Sequence, residues 1–114
     1  MARLSESTTA VIVRGETWAG AYASEPYEAG WAREAVLFLR LLKRDAALGL
    51  ASARVQISPD GMSWVDEGSE LPLPKDTVQT TFVRLTHFGN WLRIAGHLPD
   101  GASCQALATL HLKA

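Results

Sequence analysis

The sequence predicts an all-β fold, an antiparallel β-sandwich or barrel of about seven to eight strands, on three observations. Short stretches rich in β-branched or alternating apolar residues recur along the chain, and clusters of Gly, Pro, Asn and Asp separate them. The third is Arg54–Gly68, RVQISPDGMSWVDEG, which holds a strand, a turn and a second strand in succession. Val55 and Ile57 point one way and Arg54, Gln56 and Ser58 the other, the mark of a half-buried strand. Pro59-Asp60-Gly61 supplies turn chemistry, and Ser63-Trp64-Val65 resumes the extended pattern, so the unit is a hairpin.

Thr8–Arg14 opens the fold as a β-branched strand; Gly15-Glu16 breaks it, and Thr17–Tyr22 forms a short second one. Ser24–Gly30 reads as a loop punctuated by Pro26 and Gly30. Trp31–Ala53 is ambiguous, because its Ala, Leu, Glu, Arg and Lys content favours a helix. Ala35–Leu42, however, is apolar at nearly every position and lacks a polar stripe at helical spacing, which fits a buried strand. The reading taken is a strand at Glu34–Leu42, a loop at Lys43–Leu50, and Ala51–Ser58 as the partner strand. The competing reading is an α+β domain with Trp31–Leu48 helical. Leu71–Pro74 is an extended connection, since proline lacks the ladder donor. Thr77–Leu85 is a strand by composition, and His87–Asn90 a turn with Gly89-Asn90 suited to positive φ. Trp91–Leu98 turns Leu92, Ile94 and Leu98 inward and Trp91, Arg93 and His97 outward. Pro99–Ala102 turns the chain again into Cys104–Leu112, with Ala106, Ala108, Leu110 and Leu112 inward, so the last two strands read as a hairpin.

At 114 residues there is room for one domain spanning residues 1–114. Eleven Lys and Arg against twelve Asp and Glu leave a net charge of −1, which gives no bulk attraction for nucleic acid. The charges are unevenly spread. Arg33, Arg40, Lys43, Arg44 and Arg54 lie in the first half, and Asp60, Asp66, Glu67, Glu70 and Asp76 follow. Two readings stay open, solvated faces or complementary edges that meet between subunits. The one cysteine, Cys104, excludes an internal disulfide and reads as a small buried hydrophobe. Met1–Leu4 is too short and polar to open a signal peptide, and no apolar run approaches a membrane span, so a cytosolic protein is expected.

The stretch from Trp31 to the C-terminus resembles a family of small structural proteins of tailed phages and prophages. Members carry a strand pair, a DGxxW turn, an FGxxLR strand and a last strand closing on a lysine. The matching residues are Val55–Ile57, Ser58-Pro59-Asp60-Gly61, Trp64, Leu85, Phe88-Gly89, Leu92-Arg93-Ile94 and Leu110–Lys113. Lys43–Leu50 departs from the pattern, being more charged than the Gly/Ser/Pro loop of the family. The resemblance implies a jelly-roll-like sandwich and a non-catalytic virion accessory subunit, such as a capsid decoration protein, assembled in the host cytoplasm. The implied partners are further copies of the chain and other virion proteins. Carbohydrate-binding sandwiches also use a DGxxW turn, so a carbohydrate-binding module is the alternative.

No catalytic constellation is found. There is no Gly-x-Ser-x-Gly elbow, no phosphate-cradling glycine loop, and no calcium-loop spacing among Asp60, Asp66, Glu67 and Glu70. In the expected last hairpin, His97 and His111 fall roughly 20 Å apart, too far to share a metal. The expectation is no enzyme, no cofactor and no metal. The candidate interaction surface is Trp91, Arg93 and His97 on the outward side of their strand, with His111 joining Trp91 across the pair. Trp64 is expected in the core, capping the sandwich beside its turn. Unpaired edge strands of a small sandwich point to a homo-oligomer.

Overall fold

Alternation of buried and more exposed side chains runs through Glu34–Leu41 and Ser103–Lys113, and such alternation builds two sheets with one shared interior. The structure, a computed structural model, describes residues 6–114; Met1–Leu4, read above for a signal peptide, lie outside them. The strands are β1 (Ser7–Ala19), β2 (Ala21–Ala23), β3 (Tyr27–Glu28), β4 (Glu34–Arg44), β5 (Ser52–Ser58), β6 (Val65–Pro72), β7 (Thr81–Thr86), β8 (Trp91–His97) and β9 (Ser103–Lys113). The front sheet has the order β1-β9-β4-β7 and the back sheet β2-β8-β5-β6, all neighbours antiparallel.

β2 and β3 are one interrupted strand. Both pair with β8, Ala23 opposite Ala95 and Tyr27 opposite Leu92. Ser24 bridges the gap, its N–H donating to the Ile94 carbonyl at 2.8 Å and its Oγ accepting from the Ile94 N–H at 3.0 Å. Pro26, which has no N–H to donate, sits in the interruption. Counting β2 and β3 together gives eight strands, and the first pairs with the last, the second with the seventh, the third with the sixth, and the fourth with the fifth. That is the winding of a jelly roll, an antiparallel ribbon folded over on itself.

This winding overturns two expected pairings. β4 does not pair with β5: β4 lies between β9 and β7, while β5 lies between β8 and β6. β8 and β9 likewise fall in opposite sheets, although the turn at Pro99–Ala102 joins them. The β5–β6 hairpin is as expected, with Ile57 opposite Val65. Gly15-Glu16 does not end β1; the ladder to β9 shifts register there and again between Val11 and Val13. A bulge absorbs the irregular residue and lets the strand continue. Lys43 and Arg44 belong to β4, and only a 3₁₀ turn at Ala46–Leu48 remains of the predicted loop's helix-prone segment. Asp45 caps it, accepting from the Ala47 N–H at 2.9 Å. β6 takes in Leu71 and Pro72, which the edge position permits. β7 starts only at Thr81, because Asp76 draws the Val78 and Gln79 N–H groups into a turn. In the turn before β8 the left-handed residues are His87 and Gly89, and Asn90 is not among them.

The interior is lined from β4 by Ala35, Leu37, Leu39 and Leu41, and from β9 by Ala106, Ala108, Leu110 and Leu112. The facing sheet contributes Val55, Leu92 and Ile94, with Ile57 partly buried against them. Val55, Ile57, Leu92, Ile94, Leu98, Ala106, Ala108, Leu110 and Leu112, all expected inward from alternation, point into this core. Trp18 and Tyr22 close one end, stacked at 4.0 Å, and the Tyr22 ring lies so close over Gly96 that a Cβ there would collide with it. Burial raises the Tyr22 phenol pKa, with nearby Cys104 adding to the shift. Each fully buried leucine contributes about 2 kcal/mol by removal from water, and truncation adds a cavity term. Leu39→Ala is therefore expected to cost about 2–5 kcal/mol in urea unfolding, whereas Thr109→Ala, on the outward side of β9, costs less than about 1 kcal/mol.

Candidate functional site

The outward face of the back sheet is organised by the DGxxW turn. Val65 pairs with Ile57 and shares its inward phase, so Trp64, one residue earlier, must face out. Trp64 is accordingly half-buried on the outer surface rather than in the core, and the Arg93 guanidinium lies over its ring at 4.3 Å. This corrects the core assignment of Trp64. Arg93 Nε donates to Gln56 Oε1 at 2.8 Å, Gln56 Nε2 donates to Asp66 Oδ1 at 3.0 Å, and Arg54 Nη1 reaches Asp66 Oδ2 at 3.3 Å. A single connected row thus crosses three strands, from Trp64 and Arg93 through Gln56 to Asp66 and Arg54. Partial desolvation pulls the Arg93 pKa down, far too little to neutralise a guanidinium.

The turn itself is held by its own side chains. Asp60 Oδ1 accepts from the N–H groups of Met62 at 2.8 Å and Ser63 at 2.9 Å, and Ser58 Oγ donates to the same oxygen at 3.0 Å. Ser58 Oγ in turn accepts from the N–H groups of Asp60 and Gly61. The Ser63 and Met62 N–H groups, then the Ser58 hydroxyl, hold the Asp60 carboxyl below its ordinary pKa. Gly61 takes φ +80°, and a Cβ on it would stand 3.2 Å from the Trp91 ring, so the turn lies directly against that indole.

Of the four expected surface residues the structure brings two close together and places the others apart. Trp91 and Arg93 neighbour one another outward on β8, opposite Ser58 and Gln56 of β5. His97 shares their strand at its far end, opposite Ala21, roughly 20 Å from Trp91. His111 does not join Trp91. It lies on β9 in the front sheet, opposite Thr9 and Val36, because β8 and β9 are not a pair.

His111 belongs to a second outward surface that the sequence reading missed. Phe38 of β4 meets His111 edge-on with ring centroids 5.0 Å apart, and Phe82 of β7 at 6.0 Å. Arg84 lies over the Phe82 ring at 5.0 Å. Val36, Leu107 and Thr109 fill the surface between them, all half-buried. The signal was present in AVLFLRLL, where Val36, Phe38, Arg40 and Leu42 form the phase opposite the buried one. A run apolar on both phases was read as buried on both faces, yet Phe82 is 48 % exposed and Leu42 42 %. Among the described residues no three His, Cys, Asp or Glu side chains gather as a metal site, and no helix is long and apolar enough to cross a membrane.

No protein-family model matches the sequence, and no curated protein matches it. Among solved structures, the chain resembles the SPBc2 prophage-derived protein YomS, with a TM-score of 0.64 at 6 % identity over 100 % of this chain and 98 % of that one. The likeness is one of fold: both chains are the same sandwich end to end. Looser likenesses, on which nothing below rests, are to Bacillus endospore appendage pili (TM-score 0.46, 10 % identity, 96 % of this chain and 86 % of that) and to the capsid of Helicobacter pylori bacteriophage KHP30 (0.44, 12 %, 96 % and 93 %).

Two outcomes are expected at this site. The folded-state pKa of Asp60 lies below its unfolded value, so its contribution is full at neutral pH and is lost as pH falls through the folded value. Thermal melting should show the wild type losing stability below about pH 4, with Asp60→Asn less stable at pH 7 and flatter through the acid range. A double-mutant cycle of Arg93→Ala and Trp64→Ala, read by urea unfolding, should return a coupling of about 0.5–1 kcal/mol.

Proposed function

We propose that this chain is a non-catalytic structural subunit of a tailed-phage or prophage particle, an accessory protein such as a head decoration protein, acting as a homo-oligomer together with other virion proteins. The observation that carries this reading is the end-to-end likeness of fold to a prophage-derived protein of matching length. In the DGxxW and FGxxLR motifs Trp64 and Arg93 stack on one outward face, while Phe88 and Leu92 are buried in the core. The three histidines stand apart, and the most connected polar cluster, Arg93-Gln56-Asp66-Arg54, is satisfied within itself. Such a cluster fixes a surface's shape and is poorly suited to exchange protons with a substrate. The carbohydrate reading is the weaker, because Arg93 already covers the Trp64 ring and Gly61 lies against Trp91. A sugar would have to displace a guanidinium to stack on Trp64.

Co-purification decides between the two. Expressed together with the genes of a phage particle, the protein should sediment with the particles through a density gradient. A protein that stays at the top of the gradient, and binds a glycan array in a way that Trp91→Ala abolishes, would make the assembly reading wrong and the carbohydrate reading right.

A further inference from the structure

The outer face of the front sheet collects cations. Arg14 and Arg40 lie opposite Leu107 from either side, Lys43 lies opposite Gln105, Arg84 opposite Val36, and Lys113 opposite Glu34. Five cations thus share this face with Glu34 as the one acidic group in register with them, on a chain whose net charge is −1. Among the described residues the only ion pair is Arg54–Asp66, on the other sheet, so none of the five is neutralised within the fold. Phe38 lies within the face, with exposed Phe82 beside it on the edge strand β7 and exposed Leu42 farther along β4. The opposite signature lies across the sandwich on the β5–β6 hairpin. Asp60, Glu67 and Glu70 follow one another along its turn and outer strand, with Asp66 among them already paired to Arg54, and exposed Met62 stands at the turn.

Resting on the assembly reading above, we propose that the basic, aromatic face of the front sheet in one copy receives the acidic β5–β6 hairpin of the next copy. Opposite charges accompany exposed apolar side chains on both surfaces, the complementarity that sets register at protein interfaces. Exposed Met62 at the hairpin turn supplies an apolar group to set against Phe82. Pairing of the front face with itself about a twofold axis is disfavoured, because it would set one five-cation surface against another. The contact is therefore head-to-tail, and head-to-tail contacts close into rings or run on as filaments rather than stopping at dimers. A single-stranded nucleic acid is the other ligand to which cations and exposed rings are suited. The acidic hairpin and the negative total charge disfavour it.

Paired charge reversals test this, with melting temperature and circular dichroism confirming that each variant folds. Sedimentation velocity of the wild type up to about 500 µM in low salt should show species well above the 12.4 kDa monomer, and about 0.5 M salt should shift them at least tenfold toward monomer. Arg40→Glu/Arg84→Glu alone, and Glu67→Lys/Glu70→Lys alone, should each remain monomeric, while an equimolar mixture of the two associates again. Recovery in the mixture is a result that general destabilisation cannot produce. A wild type that is monomeric throughout, or one whose association survives both reversals, overturns the proposed contact. So does tight binding of a single-stranded oligonucleotide that Arg40→Glu/Arg84→Glu abolishes in a monomeric protein. If the reversed variants still sediment with particles as the wild type does, this contact is wrong and the assembly reading stands; if the wild type itself stays free of particles, the assembly reading fails.

Discussion

The structure depends on β9 more than on any other element. It is the one strand of the front sheet with β1 on one side and β4 on the other, and its inner phase of Cys104, Ala106, Ala108, Leu110 and Leu112 is buried throughout. Alanine at 106 and 108 keeps the backbone of this central strand low, leaving room for the larger leucines of β4 beside it. The buried thiol of Cys104 completes the row, its pKa raised by that burial with Arg44 opposing the shift. Remove β9 and β1 loses its only partner in the front sheet, the β4–β7 pair stands alone, and the back sheet loses the central part of the surface it packs on.

The strands themselves were legible, and their partners were not. Alternation is written into single stretches, so Arg54–Ser58, Trp91–Leu98 and Cys104–Leu112 declared both their extent and their inward residues. Pairing is a relation between distant stretches, and the only rule available from one sequence is that neighbours in the chain tend to be neighbours in a sheet. In a jelly roll that rule holds at the fold of the ribbon, β5 with β6, and fails for the consecutive strands around it. Placing β9 beside β8 carried His111 to the wrong sheet, so the error in topology became an error in the site.

The remaining misreadings have local causes. Trp64 is expected to cap the core beside its turn, although the phase of Val65 against Ile57 turns it outward. Gly15 was taken as a stop, whereas a glycine at φ +78° inside a long edge strand marks a bulge. The outer face of β4 was hidden by its own hydrophobicity. A strand apolar on both phases reads as doubly covered, and only the sheet order shows that no strand among the described residues packs over Phe38 and Phe82.

The pairing of the first strand with the last also fixes where the chain leaves the fold. Ser7 lies opposite Lys113, and the Ala114 N–H donates to the Glu6 carbonyl at 3.1 Å, so the two ends of the described chain meet side by side. Before β9 emerges in synthesis, β1 and β4 have no strand between them, and the inner row from Ala35 to Leu41 lacks Ala106, Ala108, Leu110 and Leu112 beside it. The nascent chain therefore carries an open sheet edge until β9 is available, and a pairing of strands so distant in sequence is expected to form slowly. The same adjacency makes this corner a natural place to cut and rejoin: a short bridge from Ala114 to Glu6 would relocate the ends to a turn such as Pro99–Ala102 without disturbing a ladder.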